Sequence, residues 1–477
     1  MKIPDKGRSR DDVMAELQGF GKDDLQTKGG RTWAYVYDSG REDVDKLAKE
    51  AYMTYLSQNA LDPTVYPSTL KLEVALSKMA AAHLGGDENT VGNFTSGGTE
   101  SCMLSVKTAR DYARKHRPEI KEPEMVLPTT GHAAFHKAAH YFGIKKVLVP
   151  VDPVTFRADP AAMEKAITPN TVFMMASAVS YAHGVVDPIR ELGQIALKHN
   201  IPFHVDGCIG AFMLPYFKRL GADVPDFDFS VPGVTSMSMD WHKYAYCPKG
   251  SSVILYKDKS YRKHQLYACA DWTGYTIINN TIQSSKSGGP MAATWAVLNF
   301  IGDDGYMEIA RRTYEASKKI VAAIDQMDDV RVLGRPDLCL VAFASDTINV
   351  FLVIDEMKKR GWYVQPQLAY PGSPENIHLS ISAVSLDQAD AMLADLKECI
   401  ADAKKQGPPN FEAMGKEFAA IDADKMTDDD VAAMLAMAGG VGGDLPEEMA
   451  TINGLLNAMT PRLRERLLIE FLNEMFA

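Results

Sequence analysis

Apolar positions near the start of the chain recur at helical spacing. Residues 43–59 (DVDKLAKEAYMTYLSQN) read as an amphipathic helix, the turn-like 62–68 (DPTVYPS) breaks it, and a second helix runs to about Leu84. From Val91 to Tyr256 the pattern changes. Short apolar runs at 125–127, 146–149, 171–176, 203–206, 236–239 and 252–256 read as strands. Helical patterns at 100–116, 133–142 and 189–199 alternate with them. Such alternation predicts βαβ units around a largely parallel sheet, with ligands at the carboxyl ends of its strands.

A long helical stretch follows at 291–327. After it, 330–344 and 347–354 read as strands, 356–360 as a helix, 378–382 as a strand and 386–405 as a helix, a compact α+β unit. Gly407-Pro408-Pro409 marks a boundary. Beyond it lies a Met-rich helical tail broken by the glycines of 438–443. The expected organisation is a helical arm (1–70), a large α/β domain (71–327), a small α+β domain (328–406) and a tail (407–477).

Composition narrows the function. Of 477 residues, 46% are hydrophobic and 24% charged, enough apolar sequence for a sizeable core and too much for wholesale disorder. A net charge of −11 argues against a general nucleic-acid binder. It leaves room for an anionic small substrate in a local basic pocket. The segment 421–450 is strongly acidic. The first residues (MKIPDKGRSRDDVMAEL) lack the apolar core of a secretory signal, and no run reaches membrane-spanning length. The six cysteines are scattered without a C-x-x-C pair, so reduced thiols, no metal site and a cytoplasmic enzyme are expected.

Three motifs carry chemistry. The run TSGGTES at 95–101 opens a predicted helix; small residues at a helix start can cradle a phosphate, or merely form a capped turn. The run FHVDG at 203–207 ends a buried strand on Asp206, where a carboxylate could hold a protonated ring nitrogen or serve only as structure. The run SMDWHKYAYCPKGS at 238–251 places Lys243 after a short strand and among aromatics, suiting a desolvated nucleophilic amine. A lone lysine is usually a surface residue. The order of the three, with Asp206 37 residues before Lys243, speaks for a site.

That ordered set resembles the pyridoxal 5′-phosphate (PLP) enzymes of the aspartate-aminotransferase fold, fold type I. Within them it resembles the group II decarboxylase branch and its sphingosine-1-phosphate lyase family. The resemblance covers roughly residues 37–405. It rests on TSGGTES (95–101), HAAFHKAAHYFG (132–143), HVDGCIGAF (204–212), HKYAYCPKGSSVILY (242–256), Trp295-Ala296 and GDDGY (302–306). It implies PLP as cofactor and a homodimer with shared active sites. Lys243 is implied as the lysine that holds PLP covalently, Asp206 as the partner of its ring nitrogen and His132 as the ring stacked on it. Gly98, Thr99 and His242 are implied to bind the cofactor phosphate, and Gly288 and Gly289 to reach the phosphate in the partner subunit. Lys249 is implied to bind a substrate phosphate, and Tyr37 to lie near the reacting bond.

The implied reaction is retro-aldol cleavage of a phosphorylated sphingoid base to a long-chain aldehyde and phosphoethanolamine; the alternative is amino-acid decarboxylation. Three segments depart from the family pattern. Asp62 in NALDP (59–63) stands where the lyases carry His, His136 stands in place of an Asp, and Ser284-Ser-Lys286 replaces Gly-Ser-Arg.

Overall fold

The computed structural model describes residues 2–407, 412–437 and 447–476. Helices α1 (Arg10–Phe20), α2 (Glu42–Thr54) and α3 (Pro67–His83) precede the large domain. Seven strands then form one sheet: β1 (Val91–Thr95), β2 (Glu124–Pro128), β3 (Lys145–Val149), β4 (Thr171–Ser177), β5 (Phe203–Asp206), β6 (Val234–Met239) and β7 (Ser252–Tyr256). Their order is β1-β7-β6-β5-β4-β2-β3. The pairs from β3 to β6 are parallel, while β7 runs antiparallel to both of its neighbours.

Every residue of β2, β4, β5, β6 and β7 is buried. Burial on both faces explains why these strands read as continuous apolar runs. The period of two divides their side chains between two packed layers. Met125, Leu127, Phe173 and Met175 pack with Met103, Val106 and Phe135 of α4 (Gly98–His116) and α5 (Ala133–Phe142). Val126, Met174, Ala176 and Val205 pack in the main core. Leu192 and Ala196 of α7 (Ile189–His199) join them there, the short α6 (Pro160–Lys165) preceding it.

Strand β1 escapes the hydrophobic pattern because its sequence, VGNFT, carries Gly92 and Asn93. A Cβ on Gly92 would sit 2.5 Å from the Ile254 carbonyl oxygen of β7. Asn93 donates to Glu73 at 3.0 Å.

Helices α8 (Leu214–Arg219) and α9 (Lys259–Arg262) and the hairpin β8 (Tyr267–Cys269) and β9 (Ile277–Asn279) complete the large domain. Helix α10 (Gly288–Ile324) begins three residues before the predicted stretch. It is broken at Gly302, whose φ of 66° only glycine adopts without strain.

The small domain has four antiparallel strands in the order β10-β11-β13-β12: β10 (Arg331–Val332), β11 (Leu340–Ala344), β12 (Gln365–Gln367) and β13 (Asn376–Ser380). Two expectations are corrected here. The single strand expected over 330–344 is two, separated by a bend at Gly334 with φ 68°. The strand expected at 347–354 belongs to helix α11 (Val350–Lys359). Its run VFLVI is a buried helix face, and Asn349 caps it by accepting from the Phe351 N–H at 2.8 Å. A short apolar run cannot separate strand from buried helix by periodicity.

Helix α12 (Ser385–Gln406) ends the domain. The tail carries α13 (Glu412–Ala419), α14 (Asp428–Met437), α15 (Ala450–Ala458) and α16 (Pro461–Met475) around its own small core of Val431, Leu435, Leu463 and Leu467. It docks on the small domain. Asp355 caps α15 by accepting from the Met449 and Ala450 N–H groups at 2.9 and 2.8 Å, and Asn457 accepts from the Ala369 N–H at 2.6 Å. The glycine break expected at 438–443, Pro408 and Pro409 lie outside the described residues. Among the described residues no helix is long and apolar enough to cross a membrane.

Candidate active site

A cavity of about 360 Å³ opens at the carboxyl ends of β5 and β6, lined by Gly98, Thr99, His132, Asp206, His242 and Lys243 among others. Six of the residues singled out in the sequence therefore meet in one place.

Each is set by its local chain. Asp206 is the last residue of β5, and its Oδ1 accepts from the Cys208 N–H at 3.1 Å and the Ser238 hydroxyl at 3.2 Å. His132 caps α5, its Nδ1 accepting from the Ala134 N–H at 3.1 Å. That bond leaves the proton on Nε2, and burial lowers the ring's pKa. A neutral, oriented imidazole thus presents its flat face.

Lys243 lies in the connection from β6 to β7, with Nζ 2.9 Å from Oδ2 of the buried Asp240. Burial alone would pull the amine's pKa down. Asp240 outweighs it and the net shift is upward. Burial likewise opposes ionisation of Asp240, but the charges of Lys243 and His242 hold its pKa below the usual range. Before any ligand arrives the pair is an ammonium facing a carboxylate. Asp240 is the functional residue the sequence reading missed; its signal is its place three positions before Lys243 in SMDWHK.

Glu100 is a second missed residue. From the first turn of α4, its Oε2 accepts from the Ser96 N–H and hydroxyl, both at 2.7 Å, and its Oε1 accepts from the Ile282 N–H at 2.8 Å. It ties the loop before α4 to the loop before α10. A glutamate in the first helical turn is favoured by the helix dipole, which is its recognisable signal in the sequence.

Tyr37 and Lys249 meet beside this cavity. The Lys249 ammonium sits 4.8 Å from the centre of the Tyr37 ring and donates to the Tyr35 carbonyl at 3.4 Å. Tyr37 in turn packs edge-on against Tyr244 with ring centres 5.0 Å apart. Desolvation, then the charge of Lys243, lowers the Lys249 pKa.

Comparison with known proteins is then decisive. Residues 2–346 match the pyridoxal-dependent decarboxylase conserved domain. The chain is 39% identical over 401 residues to the sphingosine-1-phosphate lyase of Arabidopsis thaliana, covering 81% of this chain and 73% of that one. It is 37% identical over 399 residues to the Dictyostelium discoideum lyase, covering 83% and 74%. The chain belongs to the sphingosine-1-phosphate lyase family. The structure of the Burkholderia pseudomallei lyase superposes with a TM-score of 0.81 at 33% identity, covering 89% of this chain and 97% of that one. Lactobacillus brevis glutamate decarboxylase, at 18% identity and a TM-score of 0.73, shares the fold. The tail, for which the sequence reading found no counterpart, matches a C-terminal putative HTH domain of pyridoxal-dependent enzymes over 412–474.

This family member is a PLP-dependent lyase, and its cavity fits the cofactor. His242 Nδ1 and Asp240 Oδ1 are buried there without hydrogen-bond partners. A Cβ on Gly98 would lie 2.6 Å from Asp240 Oδ2 and 2.9 Å from Cys208 Sγ, so only glycine leaves the start of α4 open. The free N–H groups of that helix start suit a phosphate.

Gly288 and Gly289 do not line the cavity of their own chain. They begin α10 against the arm, the Gly288 N–H donating to the Gln58 carbonyl at 2.8 Å and Gly289 facing the Tyr52 ring. Asp62 belongs to the same neighbourhood, since the Ala60 N–H donates to the Lys286 carbonyl at 2.8 Å. Its carboxylate accepts from the Thr64 hydroxyl and N–H at 2.6 and 2.8 Å, bonds that lower its pKa. Asp62 is an ionised turn cap. His136 accepts from Lys146 at 3.2 Å.

Lys286 is nearly as buried as any residue, 3% exposed, and pairs with Glu73 at 2.8 Å. It also donates to the Phe94 carbonyl at 2.9 Å, so it pins the loop that leads into Gly288. Lys286→Ala leaves the buried Glu73 hydrogen-bonded by Asn93 and the Phe94 N–H but without its counter-ion, and is expected to cost about 3–5 kcal/mol. An unfolding free energy from denaturant titration lowered by less than about 1 kcal/mol would show that the pair is unimportant.

Proposed function

We propose that this lyase cleaves a phosphorylated sphingoid base to a long-chain aldehyde and phosphoethanolamine. The observation that carries the reading is the Lys249 ammonium held over Tyr37, beside the cavity that contains Lys243. It gives a phosphate-bearing amine a cation next to the place where its nitrogen must sit. Lys243, Asp206, His132, Gly98, Thr99 and His242 are the residues that would hold PLP.

When bound, PLP supplies an electron sink for the pair released from the breaking carbon–carbon bond. The chain supplies the rest. Asp206 offers an anionic oxygen, oriented by Ser238, to a protonated ring nitrogen. The neutral His132 offers a flat face without adding charge. The His242 ring and the start of α4 hold a phosphate and fix the ring's position. Lys249 meets the substrate's own phosphate as a point charge. Two groups can hold the proton that leaves the substrate's C3 hydroxyl, the Lys243 amine and the Tyr37 phenol. Asp240, 2.9 Å from Lys243, keeps the amine able to carry a proton back to carbon.

Incubation with a phosphorylated sphingoid base should yield aldehyde and phosphoethanolamine in equal amounts. Carbon dioxide from an amino acid with no aldehyde would replace this reading by a decarboxylase. Lys249→Ala should raise KM for the phosphorylated substrate by roughly ten- to a hundred-fold, the loss of a charged hydrogen bond of about 1.5–3 kcal/mol. The rate with an unphosphorylated amine should hardly change. Equal effects on both substrates would remove Lys249 from the phosphate site.

The working form we propose is a cytoplasmic homodimer, with Gly288 and Gly289 of one protomer beside the cofactor phosphate of its partner. An apolar groove next to them, lined by Leu47, Ala51, Tyr55, Leu72 and the 41% exposed Trp295, suits such a contact. Light scattering should show a dimer at assay concentration; a fully active monomer would refute the shared site.

A further inference from the structure

We infer that the floor of the cavity is a binding site for a thiophilic d10 dication, zinc being the natural candidate, and that this ion and the cofactor exclude one another. The cysteines are scattered in sequence, yet the fold brings two of them together. Cys102 stands in the first turns of α4 and Cys208 just after β5. Their Sγ atoms are 3.8 Å apart, both thiols are free and buried, and both line the cavity.

Asp206 completes a triad in which one carboxylate oxygen and the two sulfurs all lie within 4.8 Å of one another. A fourth donor is at hand. The Ser238 hydroxyl on β6 is 3.2 Å from Cys208 Sγ, 3.2 Å from Asp206 Oδ1 and 4.0 Å from Cys102 Sγ.

These separations have the size of a coordination shell. Zinc bonds of about 2.3 Å to sulfur and about 2.1 Å to oxygen, in a tetrahedron, place two sulfurs about 3.8 Å apart and sulfur and oxygen about 3.6 Å apart. Sulfur ligands select zinc or cadmium over magnesium or calcium, which take oxygen shells. Ser238 or a water from the open side of the cavity can fill the fourth position.

Binding displaces one proton from each thiol to solvent, giving two thiolates and a carboxylate around the ion. The excess negative charge has a cation near it in the Lys243 ammonium, which lines the same cavity as Cys208. The exclusion follows from Asp206. A carboxylate committed to a metal cannot also pair with the cofactor's ring nitrogen, and a bound cofactor covers the floor. The cofactor-free chain is therefore metal-sensitive and the loaded chain is not.

Cadmium is the probe. Cofactor-stripped protein, its six thiols first confirmed by titration under denaturing conditions, is titrated with Cd2+. The ultraviolet thiolate-to-cadmium charge-transfer band is followed, and released protons are measured by calorimetry in buffers of different ionisation heat. The expected result is one ion and two protons per chain, displacement by Zn2+, and no band in PLP-loaded protein. Cys102→Ser and Cys208→Ser should each lose most of the band, and saturating Cd2+ should weaken PLP rebinding by at least ten-fold. Cadmium-113 resonance of the unaltered chain counts two sulfurs without relying on any variant. A band equally strong in the loaded protein or in both variants would place the ion elsewhere, for instance at Cys269. Fewer than six titratable thiols, or a single sulfur in the resonance, would overturn the site as well.

Discussion

Lys243→Ala loses turnover by at least roughly 10³-fold and holds PLP, if at all, without a covalent link. In the proposed mechanism the amine both holds the cofactor and carries a proton. Acid–base catalysis by one positioned group contributes about 10²–10⁴-fold by itself. The substitution has a second consequence in the cofactor-free protein. Asp240 is 2% exposed, and the Lys243 ammonium lies 2.9 Å from its Oδ2, closer than the His242 ring at 3.6 Å. Removing that ammonium leaves a buried carboxylate, a loss of about 3–5 kcal/mol unless the group takes up a proton. The apoprotein of Lys243→Ala should therefore unfold at lower denaturant than the parent, and the difference should shrink in acid. Borohydride reduction of the parent followed by peptide mapping checks the covalent assignment. A label on any other lysine would sink it.

Asp206→Asn should fold and still lose roughly 10²–10³-fold in kcat, the usual cost of removing one preorganised electrostatic contact to a developing charge. The amide oxygen can keep both bonds that Oδ1 makes, to the Cys208 N–H and the Ser238 hydroxyl. What it cannot do is stabilise a protonated ring nitrogen as an anion. Steady-state kinetics beside a thermal unfolding curve separate the two effects. A near-parental rate would mean that another group sets the charge state of the ring.

Much of this was legible beforehand because the relevant residues sit in unbroken runs. The buried strands read as apolar segments, and β5 and β7 were located to the residue. Lys243, Asp206, His132, Gly98, Thr99 and His242 lie within motifs that the fold keeps intact, so they converge as expected. Strand β1 was invisible because its stability comes from a polar network, Asn93 and the Phe94 N–H on Glu73, rather than from apolar repetition. The run at 350–354 was misread because β-branched residues suit a strand as well as a buried helix face. Asp240 and Glu100 were printed inside the motifs, but their roles depend on partners reached only in three dimensions. The pairing of Cys102 with Cys208, and of Tyr37 with Lys249, has no trace in spacing at all.

The edge of the large sheet bears on how the protein is born. Strand β1 leads directly into the phosphate cradle, and among the described residues its pairing is with β7, Thr95 opposite Ser252. A chain leaving the ribosome exposes the cradle early and Asp206 later, but the strand that anchors β1 arrives last. Closing so long a loop is slow, and until it closes an unpaired edge is open to other chains. The vitamin-derived cofactor cannot rescue this nascent state, because its pocket does not exist until Tyr256 has emerged. Assembly of the cofactor site is thus expected to wait on the synthesis of β7, whatever the supply of pyridoxal phosphate.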